Sequence, residues 1–106
     1  MLNIEFINNE IESNDGVMLY FSGENCGVCE VLKPKIKYLF DSSFPKIKQH
    51  FIDASKHKDI AIKYGVFSVP TVLVFLDKKE FIRKSRNISI PQFEDQLKRA
   101  YDMFFN

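Results

Sequence analysis

Val17-Met18-Leu19-Tyr20-Phe21-Ser22-Gly23-Glu24-Asn25-Cys26-Gly27-Val28-Cys29 is the stretch on which the reading of this chain turns. Val17 to Phe21 is a continuous apolar run, the pattern of a strand buried on both faces. Ser22 to Asn25 interrupts it as a polar loop. Leu32, Ile36, Leu39 and Phe40 then recur at i, i+4, i+7 and i+8, the stripe of a helix facing a core. Cys26 and Cys29 therefore stand where a buried strand hands over to a helix.

That placement has a chemical consequence. A helix N-terminus offers unpaired N–H groups and a partial positive charge, and both stabilise a thiolate. The thiolate is the attacking species in disulfide exchange. Cys26, nearest the loop and solvent, is the natural nucleophile. Cys29, one turn further in, is placed to resolve a mixed disulfide, and the spacing lets the two sulfurs reach bonding distance. Two competing uses of the pair are a zinc site completed by His50 and His57, and a purely structural role. The zinc reading lacks the short strand–helix module such a site needs, and both histidines read as ordinary surface or core residues.

Working outward, residues 3–13 mix apolar and acidic positions and suit a short strand, a short helix, or one after the other. Asn14-Asp15-Gly16 reads as a turn. Pro34 predicts that the helix after the cysteines kinks or starts afresh, and Phe44-Pro45 ends it. Ile47 to Asp53 reads as a second strand, followed by a short helix over Lys58–Tyr64 that Gly65 closes. Thr71 to Phe75 is another doubly buried run. Asp77-Lys78-Lys79 turns the chain into an antiparallel strand over Glu80–Lys84. Ser89 serves as N-cap of the last helix, with Pro91 in its first turn and Gln92 completing a capping box. Phe93, Leu97, Ala100, Tyr101 and Phe104 form its buried stripe. Strands alternating with helices predict an α/β fold, a mixed sheet with helices on both faces and a right-handed first crossover.

The whole chain of 106 residues is one domain's worth, with no repeat or linker to divide residues 1–106. Its 45% hydrophobic and 27% charged content excludes a mostly disordered chain. Eleven Phe and four Tyr without Trp predict an aromatic core. Two cysteines exclude a disulfide-dense scaffold and a four-cysteine zinc module. A net charge of +1 argues against a bulk grip on nucleic acid. The total hides an asymmetry: residues 1–32 carry six acids and no Lys or Arg, and all fifteen bases follow. No stretch suits a membrane helix or a signal peptide, so the expected setting is cytoplasmic and reducing.

The segment from Tyr20 to Cys29, with Pro34 five residues later, resembles the active-site region of the thioredoxin family. The likeness continues through Phe51-Ile52-Asp53, Tyr64-Gly65-Val66 and Val69-Pro70-Thr71, and spans about residues 17–105. It implies the thioredoxin fold and a cis-proline at Pro70 facing the disulfide. X-Pro bonds are the ones for which cis costs little. A cis bond there turns the Val69 backbone toward an extended substrate peptide.

The departures are specific. Thioredoxins proper have Trp-Cys-Gly-Pro-Cys-Lys where this chain has Asn25-Cys26-Gly27-Val28-Cys29-Glu30. The family's buried Asp is here Tyr20, whose hydroxyl has too high a pKa to act as a base near neutrality. The family's strand lysine is matched by Gln49, and a glycine of its substrate-facing surface by a residue near Arg86. Glu24 and Glu30 flank the cysteines with negative charge, which disfavours thiolate and points to a reducing protein.

The expected activity is thiol–disulfide exchange on protein disulfides. Cys26 and Cys29 do the chemistry, and Gly27, Val28, Ser68, Val69 and Pro70 line the peptide groove. No bound cofactor or metal is required beyond a redox-active Cys26–Cys29 disulfide. The resemblance implies a partner reductase as electron source, and a monomer is expected. The alternative is a thioredoxin-fold binding or adaptor module with vestigial redox chemistry.

Overall fold

β1 (Gly16–Ser22) is the strand around which the chain is organised, hydrogen-bonded on both edges. The computed structural model describes residues 1–105. β1 pairs in parallel with β2 (Lys48–Asp53), Tyr20 opposite Phe51, and antiparallel with β3 (Thr71–Leu76), Phe21 opposite Thr71. β3 pairs antiparallel with β4 (Lys79–Ser85), so the sheet runs β2-β1-β3-β4. Parallel β1 and β2 need a crossover, and α2 (Gly27–Ser43) supplies it.

Alternation along the two inner strands builds two cores. Met18 and Tyr20 of β1 and Val72, Val74 and Leu76 of β3 face α2 and α4 (Ile90–Phe105). They pack there with Ile36, Phe40, Phe93 and Leu97. Val17, Leu19 and Phe21, with Leu73 and Phe75, point the other way. They meet Ile7 and Ile11 of α1 (Ile4–Ser13) and Ile60 of α3 (Lys58–Lys63). With each face occupied by alternate residues, the runs had to be apolar throughout. The expected helices on both faces are therefore present. Aromatic packing dominates the α2–α4 side: Phe40 stands 5.4 Å from Phe44 and 5.9 Å from Phe93 between ring centroids.

Several local readings are sharpened. The undecided segment 3–13 is a helix, opened by the Asn3 side chain accepting from the Phe6 N–H at 2.7 Å. Its buried Ile7 and Ile11 are four apart, a helical spacing that the intervening acids obscure. Gly16 belongs to β1, paired with Leu76, rather than to a turn, and glycine is needed there because a Cβ would stand 2.9 Å from the Phe105 ring. α2 runs through Pro34 without starting afresh. Pro34 and Glu30 are both exposed, so the Glu30 carbonyl that loses its intrahelical donor faces water. The last helix begins as read, the Ser89 hydroxyl accepting from the Gln92 N–H at 3.4 Å. Phe104 is not part of its stripe. Phe105, four residues after Tyr101 and 4.7 Å from its ring, takes that place, and Phe104 is exposed.

Gly65 closes α3 with a backbone only glycine adopts freely, at φ +68°. Its N–H donates to the Ile62 carbonyl at 3.1 Å, and the Val66 N–H donates to Ala61 at 2.8 Å. This is a Schellman closure, with Val66 tucked into the α1–α3 core. Gly65→Ala keeps these bonds but strains the backbone by about 1 kcal/mol. A drop in melting temperature of roughly 4–8 °C is expected; an unchanged urea midpoint would show that φ relaxes without cost.

Candidate active site

Cys26 and Cys29 form a disulfide, Cα atoms 5.2 Å apart, on the first turn of α2. Three local choices put it there. Gly23 lets the chain leave β1 beneath Val69, whose Cγ2 would lie 3.1 Å from a Cβ at that position. Asn25 takes φ +55°, a left-handed conformation that Asn tolerates better than most residues. Cys26 is then extended and acts as N-cap of α2. Its sulfur accepts from the Cys29 N–H at 3.2 Å, the role that a Ser or Asp oxygen plays in other helices. The two cysteines differ in access: Cys26 is half-buried, whereas Cys29 is 1% exposed.

Beneath Cys29 the chain has built an aromatic support. Tyr20, fully buried on β1, donates its hydroxyl to the Cys29 carbonyl at 2.9 Å. Phe51 on β2 lies against Tyr20, ring centroids 5.7 Å apart, and the Lys33 ammonium caps the Phe51 ring at 5.4 Å. Burial, and the nearby negative charge of Glu30, push the Tyr20 phenol up to about 12. Tyr20 is therefore a permanent hydrogen-bond donor at physiological pH and no proton acceptor. Gln49 turns to α2, where its amide donates to Asp41 at 2.7 Å. Neither position supplies a base under the disulfide.

Across from the cysteine loop the Val69–Pro70 peptide bond is cis. Pro70 is buried, and its carbonyl accepts from the Arg86 N–H at 2.8 Å, which ties the end of β4 to the segment before β3. Two grooves flank the disulfide loop. Gly27 and Val28 line one, with Val31, Lys35 and Arg86; Ser68 and Val69 line the other, with Gly23, Glu24 and Phe67. Of the groove residues expected from the sequence, Gly27 and Val28 line one groove, Ser68 and Val69 line the other, and Pro70 lines neither. The first turns of α2 and the segment before Ser68 add exposed apolar surface: Val28 and Val31 are each 61% exposed and Phe67 is 84% exposed. The sequence reading missed Val31 and Phe67, and it missed Tyr20 as a donor. A bond to a backbone carbonyl leaves no trace in residue types. His50 bonds Glu10 at 3.0 Å on the α1 side, and His57 stands at the N-cap position of α3 without a side-chain capping bond. No cluster of three or more metal-ligating side chains occurs among the described residues.

A redox disulfide on the first turn of the helix that follows a central strand defines a thiol–disulfide oxidoreductase. A model of the thioredoxin family matches residues 2–99. The thioredoxin-like protein YdfQ of Bacillus subtilis is 35% identical over 98 residues, which is 92% of this chain and 87% of that protein. Thioredoxin of Bacillus subtilis is 37% identical over 67 residues, 62% of this chain and 64% of its own length. Among solved structures, a thioredoxin variant from Halobacterium salinarum superposes with a TM-score of 0.77 at 25% identity, covering 90% of this chain and 81% of that one. The chain belongs to the thioredoxin family, and with its disulfide in place it is a thiol–disulfide oxidoreductase.

Tyr20→Phe isolates the aromatic support. Losing one buried hydrogen bond costs about 1 kcal/mol at neutral pH. The alkaline limb separates this role from packing. A phenol near 12 in the folded state and near 10 unfolded contributes stability that is complete below pH 10 and declines as pH rises toward 12. Wild type therefore loses about 1 kcal/mol more than Tyr20→Phe on going from pH 10 to 11. Parallel urea curves for the two proteins across that interval would refute the raised pKa.

Proposed function

We propose that this protein reduces protein disulfides, with Cys26 as attacking nucleophile and Cys29 as resolving thiol. The observation that carries the assignment is the asymmetry of the pair: a half-buried Cys26 at the N-cap of a helix and a fully buried Cys29 within its first turn. In the reduced protein the Cys26 thiolate attacks one sulfur of the substrate, forming a mixed disulfide and expelling the other substrate sulfur as a thiolate. The Cys29 thiol then loses its proton and attacks Cys26 Sγ. The second substrate thiolate leaves, and Cys26–Cys29 is oxidised. Two electrons pass from the protein dithiol to the substrate, and each substrate thiolate takes up a proton. The N–H of Cys29 that now points at Cys26 Sγ supports the thiolate in the first step.

An extended substrate peptide pairs with the Val69 backbone beside Pro70, its side chains reaching the grooves formed by Gly27 and Val28 and by Ser68 and Val69. No bound cofactor takes part; the cysteine pair carries the electrons. A partner reductase regenerates the dithiol, and a reducing cytoplasm is the setting in which that cycle turns over. Within the described residues no helix is long and apolar enough to cross a membrane. The acids Glu24 and Glu30 oppose the helix field at Cys26, which supports a reducing rather than an oxidising poise. We further propose that the protein works as a monomer.

Dithiothreitol-driven precipitation of insulin tests the reading. Wild type accelerates it and Cys26→Ser does not; a wild-type rate no faster than dithiothreitol alone would leave only a binding or adaptor role. Cys29→Ser accumulates a stable mixed disulfide with substrate, detectable by mass, whereas Cys26→Ser does not. For the electrostatics, replacing Glu24 and Glu30 together by Gln lowers the pH at which thiolate absorbance appears in the far ultraviolet. An unshifted titration counts against any influence of the two acids.

A further inference from the structure

The groove beside Gly27 and Val28 carries a charge pattern that the chemistry of disulfide exchange does not require. Its apolar wall is Val28 and Val31, both largely exposed. Its charged residues are Lys35 and Arg86, and no acidic side chain lines it among the described residues. Neither cation is paired with a carboxylate among the described residues. The groove on the other side of the disulfide loop holds both Glu24 and Lys58, so charge of a single sign belongs to the Gly27–Val28 groove alone.

Arg86 is the pointed observation. Its φ is +62°, a left-handed backbone in which glycine would be unstrained and a long side chain is not. That conformation is fixed by the Arg86 N–H, which donates to the Pro70 carbonyl at 2.8 Å. The chain therefore places an exposed guanidinium, at a conformational cost, on the segment tied directly to the cis-proline. The net charge of +1 leaves little long-range steering, so any selection by charge is local to this groove.

We propose that Arg86, with Lys35, selects disulfide substrates that carry a carboxylate side chain close to the cysteine attacked by Cys26. The occupant is an extended acidic peptide segment, its apolar side chains on Val28 and Val31 and its Asp or Glu on the guanidinium. An arginine fork suits this recognition because it meets a carboxylate with two parallel hydrogen bonds. The inference rests on the disulfide-reductase reading above and adds the chemical class of its substrates.

The test uses the pre-reduced full chain and three disulfide-bridged peptides that differ only in Asp, Asn or Lys beside one cysteine. Each second-order rate constant is divided by that of dithiothreitol with the same peptide, which removes the peptide's own reactivity. The Asp peptide should be favoured over the Lys peptide by about 5- to 10-fold at low ionic strength, and molar salt should erase most of the preference. Arg86→Glu should invert the order. Arg86→Gly, which relaxes the backbone, should bring the three rates together, and Lys35→Glu should weaken the preference. Lys79→Glu, the same charge change at the far end of the sheet, should leave the ratio as in wild type. Equal normalised rates in wild type would overturn the selection and leave the reductase reading intact. So would a preference that survives Arg86→Glu, or one lost equally in Lys79→Glu. Failure to reduce any of the peptides would bring down both readings together.

Discussion

Cys26 serves two structures at once. It ends the loop that leaves β1, and its sulfur caps α2 by accepting the Cys29 N–H. A helix needs such an acceptor because its first N–H groups have no partner within it. Here the acceptor is also the reactive atom. The position of the sulfur is consequently set by β1, whose two neighbours and two covered faces leave it no freedom to shift. The same strand anchors the opposing segment. Phe21 pairs with Thr71, which brings Val69 over Gly23. The disulfide loop and the Val69–Pro70 segment thus both extend the same pair of hydrogen-bonded strands.

How far this could be read in the chain follows from which forces leave a mark in residue order. Burial does: the runs Val17–Phe21 and Thr71–Phe75 announced doubly covered strands, and Leu32, Ile36, Leu39 and Phe40 announced a helix packed on one of the faces. Turn chemistry does too, as Gly65 shows with its left-handed closure of α3. Two cysteines at a strand-to-helix boundary identified the site before any distance was known. The illegible features depend on contacts across the fold. Gly16 reads as a turn until Phe105, at the other end of the chain, is seen to fill the space where its side chain would be. Pro34 reads as a break until its neighbours prove to be exposed. Phe104 and Phe105 are equally apolar, and only the four-residue step from Tyr101 decides between them.

Tyr20 shows the same limit at the site itself. Residue type indicates that the family's buried acid is absent, and nothing more. The structure adds that the phenol is spent on the Cys29 carbonyl and braced by Phe51 under Lys33. An aromatic pair, and no carboxylate, lies below the second cysteine. This arrangement avoids the cost of burying an unpaired carboxylate. It also leaves no proton acceptor at the point where the second cysteine must ionise.

The kinetic consequence follows from that absence. Attack by Cys29 on the mixed disulfide requires its thiolate, and a phenol held protonated up to about pH 12 accepts nothing at neutral pH. Cys29 is nearly closed to water. In the proposed cycle the base available for that step is the substrate thiolate expelled in the first one.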